Sequence, residues 1–164
     1  MGLFDEQLAR KPNNYPWTQD FIDAHWKGFW TKNEFEFKKD VNDFKTVMDE
    51  HSRQVLVRTL SSIGQVEIDV KTFWARIGEM LKHPSLIDLG FVLAHTEVIH
   101  NQAYEKLLEV LNLGKVFDEN LKEKALMERV RYLKKHLNRP YGDEKYKQFI
   151  YSLILFTMFV EEDQ

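Results

Sequence analysis

AHTEVIHNQAY, residues 94–104, is the stretch of the chain that decides its fold and its chemistry. Glu97 and His100 within it are three residues apart, which places both side chains on one face of a helix, about 300° around the axis and roughly one turn along it. Apolar residues precede and separate them, so this helix should be largely buried, where an unpaired carboxylate or imidazole is costly. A shared metal ion would satisfy both groups, and the stretch therefore predicts a metal-binding helix.

Two further carboxylates strengthen this prediction, because a single Glu-x-x-His pair is also what a solvent-facing helix surface would contain. Glu67 lies between Val66 and Ile68, and Glu161 follows the apolar residues MFV. Helical bundles that bind iron or manganese use two Glu-x-x-His pairs and one carboxylate from each of two other helices. Taken singly, Glu67 could be a surface carboxylate beside Asp69, and Glu161 part of a frayed terminus. Taken with Glu97 and His100, both are predicted ligands.

Apolar residues recur with helical periodicity along most of the chain, and they predict five main helices. These cover Trp17–Trp30, Asp43–Lys82, Ser85–Asn112 with Gly114 as its stop, a thinly amphipathic surface helix at 118–137, and the segment 145–164. Phe149–Val160 is apolar on nearly every face, which predicts a helix surrounded by others. Glycine (7) and proline (4) are scarce in the 164 residues, so we expect an all-α helical bundle in a single domain spanning 1–164.

Composition excludes several kinds of site and partner. The chain has no cysteine, so disulfides, thiolate metal sites and cysteine nucleophiles are ruled out. Lys and Arg (23) are interspersed among Asp and Glu (26), which leaves no basic stripe for nucleic acid or an anionic membrane. The first residues lack the apolar region of a secretory signal, and Phe149–Val160 is shorter than the roughly 20 residues that span a bilayer. We therefore expect a cytoplasmic protein without a nucleic-acid or membrane partner.

The order and spacing of these residues resemble the small, radical-generating subunit of class I ribonucleotide reductases. Phe29-Trp30 precedes a short acidic connector, Glu67 follows Trp30 by 37 positions, and Glu97 follows Glu67 by 30. Tyr104 comes four residues after His100, and the segment HTEVIHNQAY is especially close to the family pattern. The resemblance implies a ferritin-like helical bundle, of which residues 1–164 would form the N-terminal, incomplete part.

The resemblance also implies roles for individual residues. Glu67, Glu97, His100 and Glu161 would be four of the six ligands of a dinuclear metal centre, Fe/Fe, Mn/Mn or Mn/Fe. Glu67 stands where most relatives have Asp, which leaves the metals open. Glu162 is an alternative to Glu161 as the ligand from its helix.

Two aromatic residues complete the implied site. Tyr104 would carry the stable radical, and Trp30 would relay an electron between the metal site, through His100, and the large subunit. Without the resemblance, Trp30 would be interpreted as an ordinary core aromatic residue and Tyr104 as an amphipathic helix residue with its hydroxyl at the boundary.

The resemblance covers only about half of a usual small subunit. The family takes its remaining two ligands from a second Glu-x-x-His on a later helix, and the residues after Glu161 contain none. We therefore expect a split subunit that is inactive until a separate C-terminal polypeptide completes it; a cloned fragment or an early stop would leave the same sequence. The assembled small subunit would form a dimer and pass its radical to a large catalytic subunit, which reduces ribonucleotides to deoxyribonucleotides.

Two other functions fit the same residues. The chain could belong to another dimetal-carboxylate oxidase that acts on a small or lipid-like molecule, in which case Tyr104 would carry no radical and Trp30 no electron. It could also be a non-catalytic helical interaction module whose apolar last helix inserts into a partner.

Overall fold

Helices account for most of the chain, as its periodicity predicts. The computed structural model describes residues 2–137 and 145–157, a range that does not include Glu161 and Glu162. Within that range no β-strand forms, and the α-helices in chain order are α1 (Thr18–Lys27), α2 (Lys38–Asn42), α3 (Glu50–Met80), α4 (Pro84–Val110), α5 (Gly114–Asn120), α6 (Lys124–Leu137) and α7 (Lys145–Phe156). A 3₁₀ turn at Lys32–Glu34 and a π turn at Asp43–Val47 lie before α3. None of the described helices is long and apolar enough to cross a membrane.

The first helix ends earlier than predicted. It stops at Lys27, and the N–H of Gly28 makes the last helical hydrogen bond, to the carbonyl oxygen of Ala24. Phe29 and Trp30, predicted within this helix, therefore begin the connector that runs to the short α2. Glycine is among the weakest helix formers, which explains a helix end at this position.

The long central helix begins at Glu50, so the prediction of a start at Asp43 is wrong. Met48 and Asp49 have extended backbones, and the Asp49 side chain accepts a hydrogen bond from the backbone N–H of Ser52. An N-cap residue needs this extended geometry so that its oxygen can reach an otherwise unpaired amide of the first turn. The apolar residues before Asp49 belong instead to α2 and the π turn.

The end of α4 is set by asparagine, where the prediction named Gly114. Asn112 has a φ of 58°, the left-handed conformation that commonly follows the last helical residues. Gly114 instead begins α5, and a turn at 121–123 separates α5 from α6. The segment 118–137 is therefore two helices, of which α6 lies on the surface and buries mainly Leu126 and Val130.

Helices α3 and α4 form an antiparallel hairpin that is the centre of the fold. The start of α3 packs against the end of α4 through Val57, Leu60, Leu111 and Leu113, and the end of α3 packs near the start of α4. The two backbones touch at Gly90, where an added Cβ would lie 2.7 Å from the backbone nitrogen of Gly78. This close approach fixes how the facing side chains of α3 and α4 meet.

The larger core cluster joins α7 to this hairpin. Its buried residues are Val66, Val70, Phe73, Ile77, Leu81, Leu86, Phe149 and Phe156. The ring of Phe156 stacks on that of Phe73 with 3.8 Å between centroids. On the outer face of α7, however, Tyr151 and Ile154 are about half exposed, at 53% and 49%. The described part of α7 is thus covered on one face only, which differs from the predicted helix surrounded by others.

Candidate metal centre

Three of the predicted ligands meet between α3 and α4. Glu67 comes from the middle of α3, and Glu97 and His100 come from successive turns of α4. One ligand atom from each lies within 4.8 Å of the others. His100 Nδ1 donates a hydrogen bond to Glu97 Oε2 at 3.1 Å and lies 3.8 Å from Glu67 Oε2. This cluster has two causes. Glu97 and His100 lie on one face of α4 because they are three residues apart, and the packing of α3 against α4 brings Glu67 opposite them.

The two carboxylates are buried, at 2% exposure for Glu67 and 6% for Glu97, whereas the His100 side chain is about one third exposed. Burial, opposed by His100 and assisted by the neighbouring Glu67, raises the pKa of Glu97 to about 7. Contacts with Glu67 and Glu97 raise the pKa of His100 to about 10 against the opposing effect of burial. Burial also acts to raise the pKa of Glu67, but the nearby His100 and Glu97 side chains outweigh it and lower that pKa. The two carboxylates thus lie on either side of one imidazole nitrogen, His100 Nδ1, at 3.1 Å from Glu97 and 3.8 Å from Glu67.

This donor set suits iron or manganese. Glu67 Oε2 is buried and has no hydrogen-bond partner among the described residues, which is costly for a carboxylate oxygen and is relieved when the oxygen binds a cation. Two carboxylates and one imidazole are also the kind of ligands that these metals take in helical bundles. The residues present therefore fit one side of a dimetal-carboxylate site.

An aromatic cavity of about 540 Å³ opens beside the cluster. It is lined by the three predicted ligands together with Trp30, Phe35, Phe37, Ala103, Tyr104 and Leu107. The Trp30 ring stacks on the His100 ring, with 6.0 Å between centroids and 23° between planes. Tyr104 is one turn past His100. Burial, and to a lesser extent the charges of Glu67 and Glu97, raises the pKa of its phenol. An oxidisable phenol and an indole therefore share the cavity with the ligands.

The structure brings together five of the six predicted site residues, namely Glu67, Glu97, His100, Tyr104 and Trp30. Glu161, the sixth, and the alternative Glu162 lie outside the described residues.

The sequence interpretation missed Phe35 and Phe37, whose rings form one wall of the cavity. Their signal is the alternation of aromatic and acidic residues in EFEF, residues 34–37, since alternate side chains of an extended segment lie on the same side. It also missed Lys106, whose ammonium group lies 5.8 Å from the centre of the Phe37 ring.

Comparison with known proteins gives one consistent result. Residues 8–162 match the family model "Ribonucleotide reductase, small chain". Among curated proteins, the chain is 28% identical over 137 residues to "Probable ribonucleoside-diphosphate reductase small subunit 376L" of Invertebrate iridescent virus 6, an alignment that covers 82% of this chain and 38% of that protein.

Two solved structures share the fold. The ribonucleotide reductase R2 subunit from Clostridium botulinum superposes with a TM-score of 0.76 at 16% identity, covering 86% of this chain and 45% of that one. The structure assigned to a class I ribonucleotide reductase of Bacillus halodurans gives 0.73 at 22% identity, covering 85% and 52%. The ferritin-like helical fold predicted from the sequence is thereby confirmed. The chain spans about half of these two structures and less of the curated relative.

Proposed function

The chain belongs to the ribonucleotide reductase small-chain family, and from that premise we propose that it provides half of a dinuclear metal site that generates a tyrosyl radical. The observation that carries the proposal is a single cavity that holds Glu67, Glu97 and His100 beside Tyr104 and Trp30. In this proposal the three ligand residues hold one side of the metal pair, and Glu161 or Glu162 adds a further carboxylate. The metals would be Fe/Fe, Mn/Mn or Mn/Fe.

Glu67, Glu97 and His100 would hold one side of the metal pair, which, with oxygen or a related oxidant, would supply the oxidising chemistry that takes one electron and one proton from the Tyr104 phenol. The residues of the chain prepare this step. Burial and the two nearby carboxylates favour the neutral phenol, so Tyr104 keeps its proton until it is oxidised. Phe35 and Phe37 line the cavity beside the phenol and would limit the access of water to a radical there. Trp30 lies in the connector between α1 and α2, and its ring stacks on that of His100. This contact links the ligand cluster to the connector.

The proposed partners follow from the family and from the share of it that this chain spans. A complementary polypeptide with a second Glu-x-x-His would complete the metal ligands, and the chain would be inactive without it. The assembled small subunit would form a dimer in the cytoplasm and deliver its oxidising equivalent to a large subunit. That subunit would reduce ribonucleotides to the deoxyribonucleotides needed for DNA replication.

The proposal is tested by purifying the chain under native conditions from cells that produce it and measuring the intact masses of whatever copurifies. We expect a second polypeptide that carries Glu-x-x-His, two metal ions per pair of polypeptides, and a tyrosyl signal in electron paramagnetic resonance. Tyr104→Phe should abolish that signal and keep the metals, whereas the matched control Tyr132→Phe, at an exposed tyrosine, should keep both.

Other outcomes would support other functions for the chain. Two metal ions without any tyrosyl signal would contradict the radical role and support another dimetal-carboxylate oxidase. A complex without metal would contradict both enzymatic functions and support a helical interaction module.

A further inference from the structure

The wall of the metal-site cavity opposite α4 is made by a connector, residues 28–37, that is mostly not helical. It contains one 3₁₀ turn, in which the Thr31 backbone N–H donates a hydrogen bond to Glu34 Oε1 at 2.7 Å. The Trp30 ring meets the Phe35 ring edge-on, with 5.3 Å between centroids, and Phe35 is 47% exposed. A segment with so little regular structure depends on its contacts with neighbouring helices to hold a fixed position.

Two kinds of contact attach this connector to α4. The first is ring stacking, of Trp30 on His100 and of Phe29 on His95. The second is polar and involves Lys106, which lies on α4 two residues after Tyr104. Lys106 Nζ donates a hydrogen bond to the backbone carbonyl oxygen of Lys32 at 2.9 Å.

The ammonium group of Lys106 makes a second contact with the same connector, because it lies 5.8 Å from the centre of the Phe37 ring. In the chain, Lys32 precedes Phe35 and Phe37 follows it. The half-buried ammonium group of Lys106 therefore contacts the connector on both sides of the exposed Phe35 ring. A hydrogen bond from a charged donor is stronger than one from a neutral donor, and a cation over an aromatic face adds attraction. The stacking contacts alone leave the chain between Thr31 and Phe37 without such a directional restraint.

We propose that Lys106 is a positioning residue, which ties the connector to α4 and thereby keeps Trp30 stacked on His100 beside the metal ligands. Its importance for radical transfer rests on the function proposed above, but its effect on the Trp30 ring does not. Without the tie, the connector would move away from α4 and the indole would leave the imidazole.

The test is nuclear magnetic resonance of the full, isotopically labelled chain without added metal. The stacked indole shifts the ring-proton resonances of His100, and Trp30→Leu, which removes the aromatic ring, measures the size of that shift. Lys106→Met keeps a long apolar side chain and removes the charge and the donor. We expect it to remove most of the Trp30-dependent shift and to speed amide hydrogen exchange at Thr31 and Glu34, whose N–H groups are hydrogen-bonded within the connector, roughly tenfold, as expected for one lost charged hydrogen bond.

Two further variants separate positioning from general stability. Lys106→Arg restores a charged donor and should restore both the shift and the exchange rates, whereas Lys115→Met, at an exposed lysine on α5, should change neither. If Lys106→Met does not fold, Phe37→Leu removes the contacted ring from the connector side and should displace the same His100 resonances. Unchanged His100 shifts and unchanged exchange in folded Lys106→Met, or unchanged shifts in Phe37→Leu when that variant takes its place, would overturn the proposal.

The role proposed for Lys106 and the proposed radical function can fail separately. These measurements need neither a metal nor a radical, so a missing tyrosyl signal would count against the proposed function and leave the role of Lys106 standing. A displaced Trp30 ring in Lys106→Met, together with a tyrosyl signal in the unsubstituted chain, is the result expected if both proposals hold.

Discussion

At Gly90, a single missing methyl group lets two helices touch. A Cβ built there would lie 2.7 Å from the backbone nitrogen of Gly78 and 2.9 Å from the carbonyl oxygen of Trp74. Backbone atoms cannot rotate out of the way, so Gly90→Ala must push α4 from α3. We expect it to lower the free energy of unfolding by about 1–3 kcal/mol, as overpacking usually does. Urea denaturation, with metal binding measured alongside, checks the loss.

Gly64 provides the matched control, because it lies inside α3 without such crowding. Its nearest neighbour to an added Cβ is the Tyr104 Cβ at 3.6 Å, an ordinary contact distance. Gly64→Ala should therefore keep or raise stability, by up to about 1 kcal/mol from helix propensity. A Gly90→Ala protein as stable as Gly64→Ala would contradict the close backbone contact described here.

Residues of the site were predictable from the sequence to the extent that local geometry fixes them. Glu97 and His100 share a helix, so their spacing alone sets their relative position. Glu67 was predicted as a ligand from its apolar neighbours and from the ligand pattern of metal-binding bundles. Its position relative to Glu97 and His100 could not be predicted, since the register of α3 against α4 depends on packing. Phe35 and Lys106 could not be predicted in this way, because the connector approaches α4 through contacts between residues 74 positions apart in the chain.

The N-terminus of α4 depends on one buried histidine. His83 is 2% exposed, its Nδ1 accepts a hydrogen bond from the backbone N–H of Ser85, and the Tyr15 ring lies edge-on to its imidazole at 4.8 Å. His83→Ala removes both the cap acceptor and the ring, and we expect a loss of roughly 2–3 kcal/mol of unfolding free energy. His83→Asn keeps a cap acceptor and should lose about 1 kcal/mol less. Equal losses in denaturation curves of the two variants would show that the cap contributes nothing.

Helix boundaries show why element prediction succeeded only in part. Apolar periodicity indicated the presence of α3 and α4, but it does not distinguish one long helix from a short helix, a π turn and a capped long helix. The decisive residue was Asp49, whose side chain serves as an N-cap. At the other end, Asn112 takes the left-handed conformation for which glycine is the commoner choice, so Gly114 was assigned the wrong role.

At the scale of the whole molecule, α7 is attached to the hairpin through two buried phenylalanines. Phe149 is 1% exposed in the larger core cluster, and its ring also meets Phe4 from the N-terminal segment. Phe149→Ala should lower the free energy of unfolding by about 3–5 kcal/mol, which is a large part of the total free energy of unfolding of a typical domain. Tyr151→Ala, on the exposed face of the same helix, should change stability by no more than about 0.5 kcal/mol.

Chemical denaturation of the two α7 variants, with limited proteolysis of the 138–157 region, measures the difference. If both substitutions cost the same, α7 is not docked on α3 through Phe149. The exposed face with Tyr151 and Ile154 could not be foreseen from the sequence, because a segment apolar on nearly every face does not indicate which face its neighbours cover.

The position of the predicted ligands along the chain has a consequence for how the protein folds. Glu67, Glu97 and His100 all lie within residues 67–100, on two helices joined by only three residues. Contacts between segments so close in sequence close short loops and form quickly, whereas α7 must return to α3 across a long stretch of chain. The cluster of Glu67, Glu97 and His100 should therefore take shape during the first stages of folding, and an ion bound then, at the metal site proposed above, would act as a folding template for the hairpin.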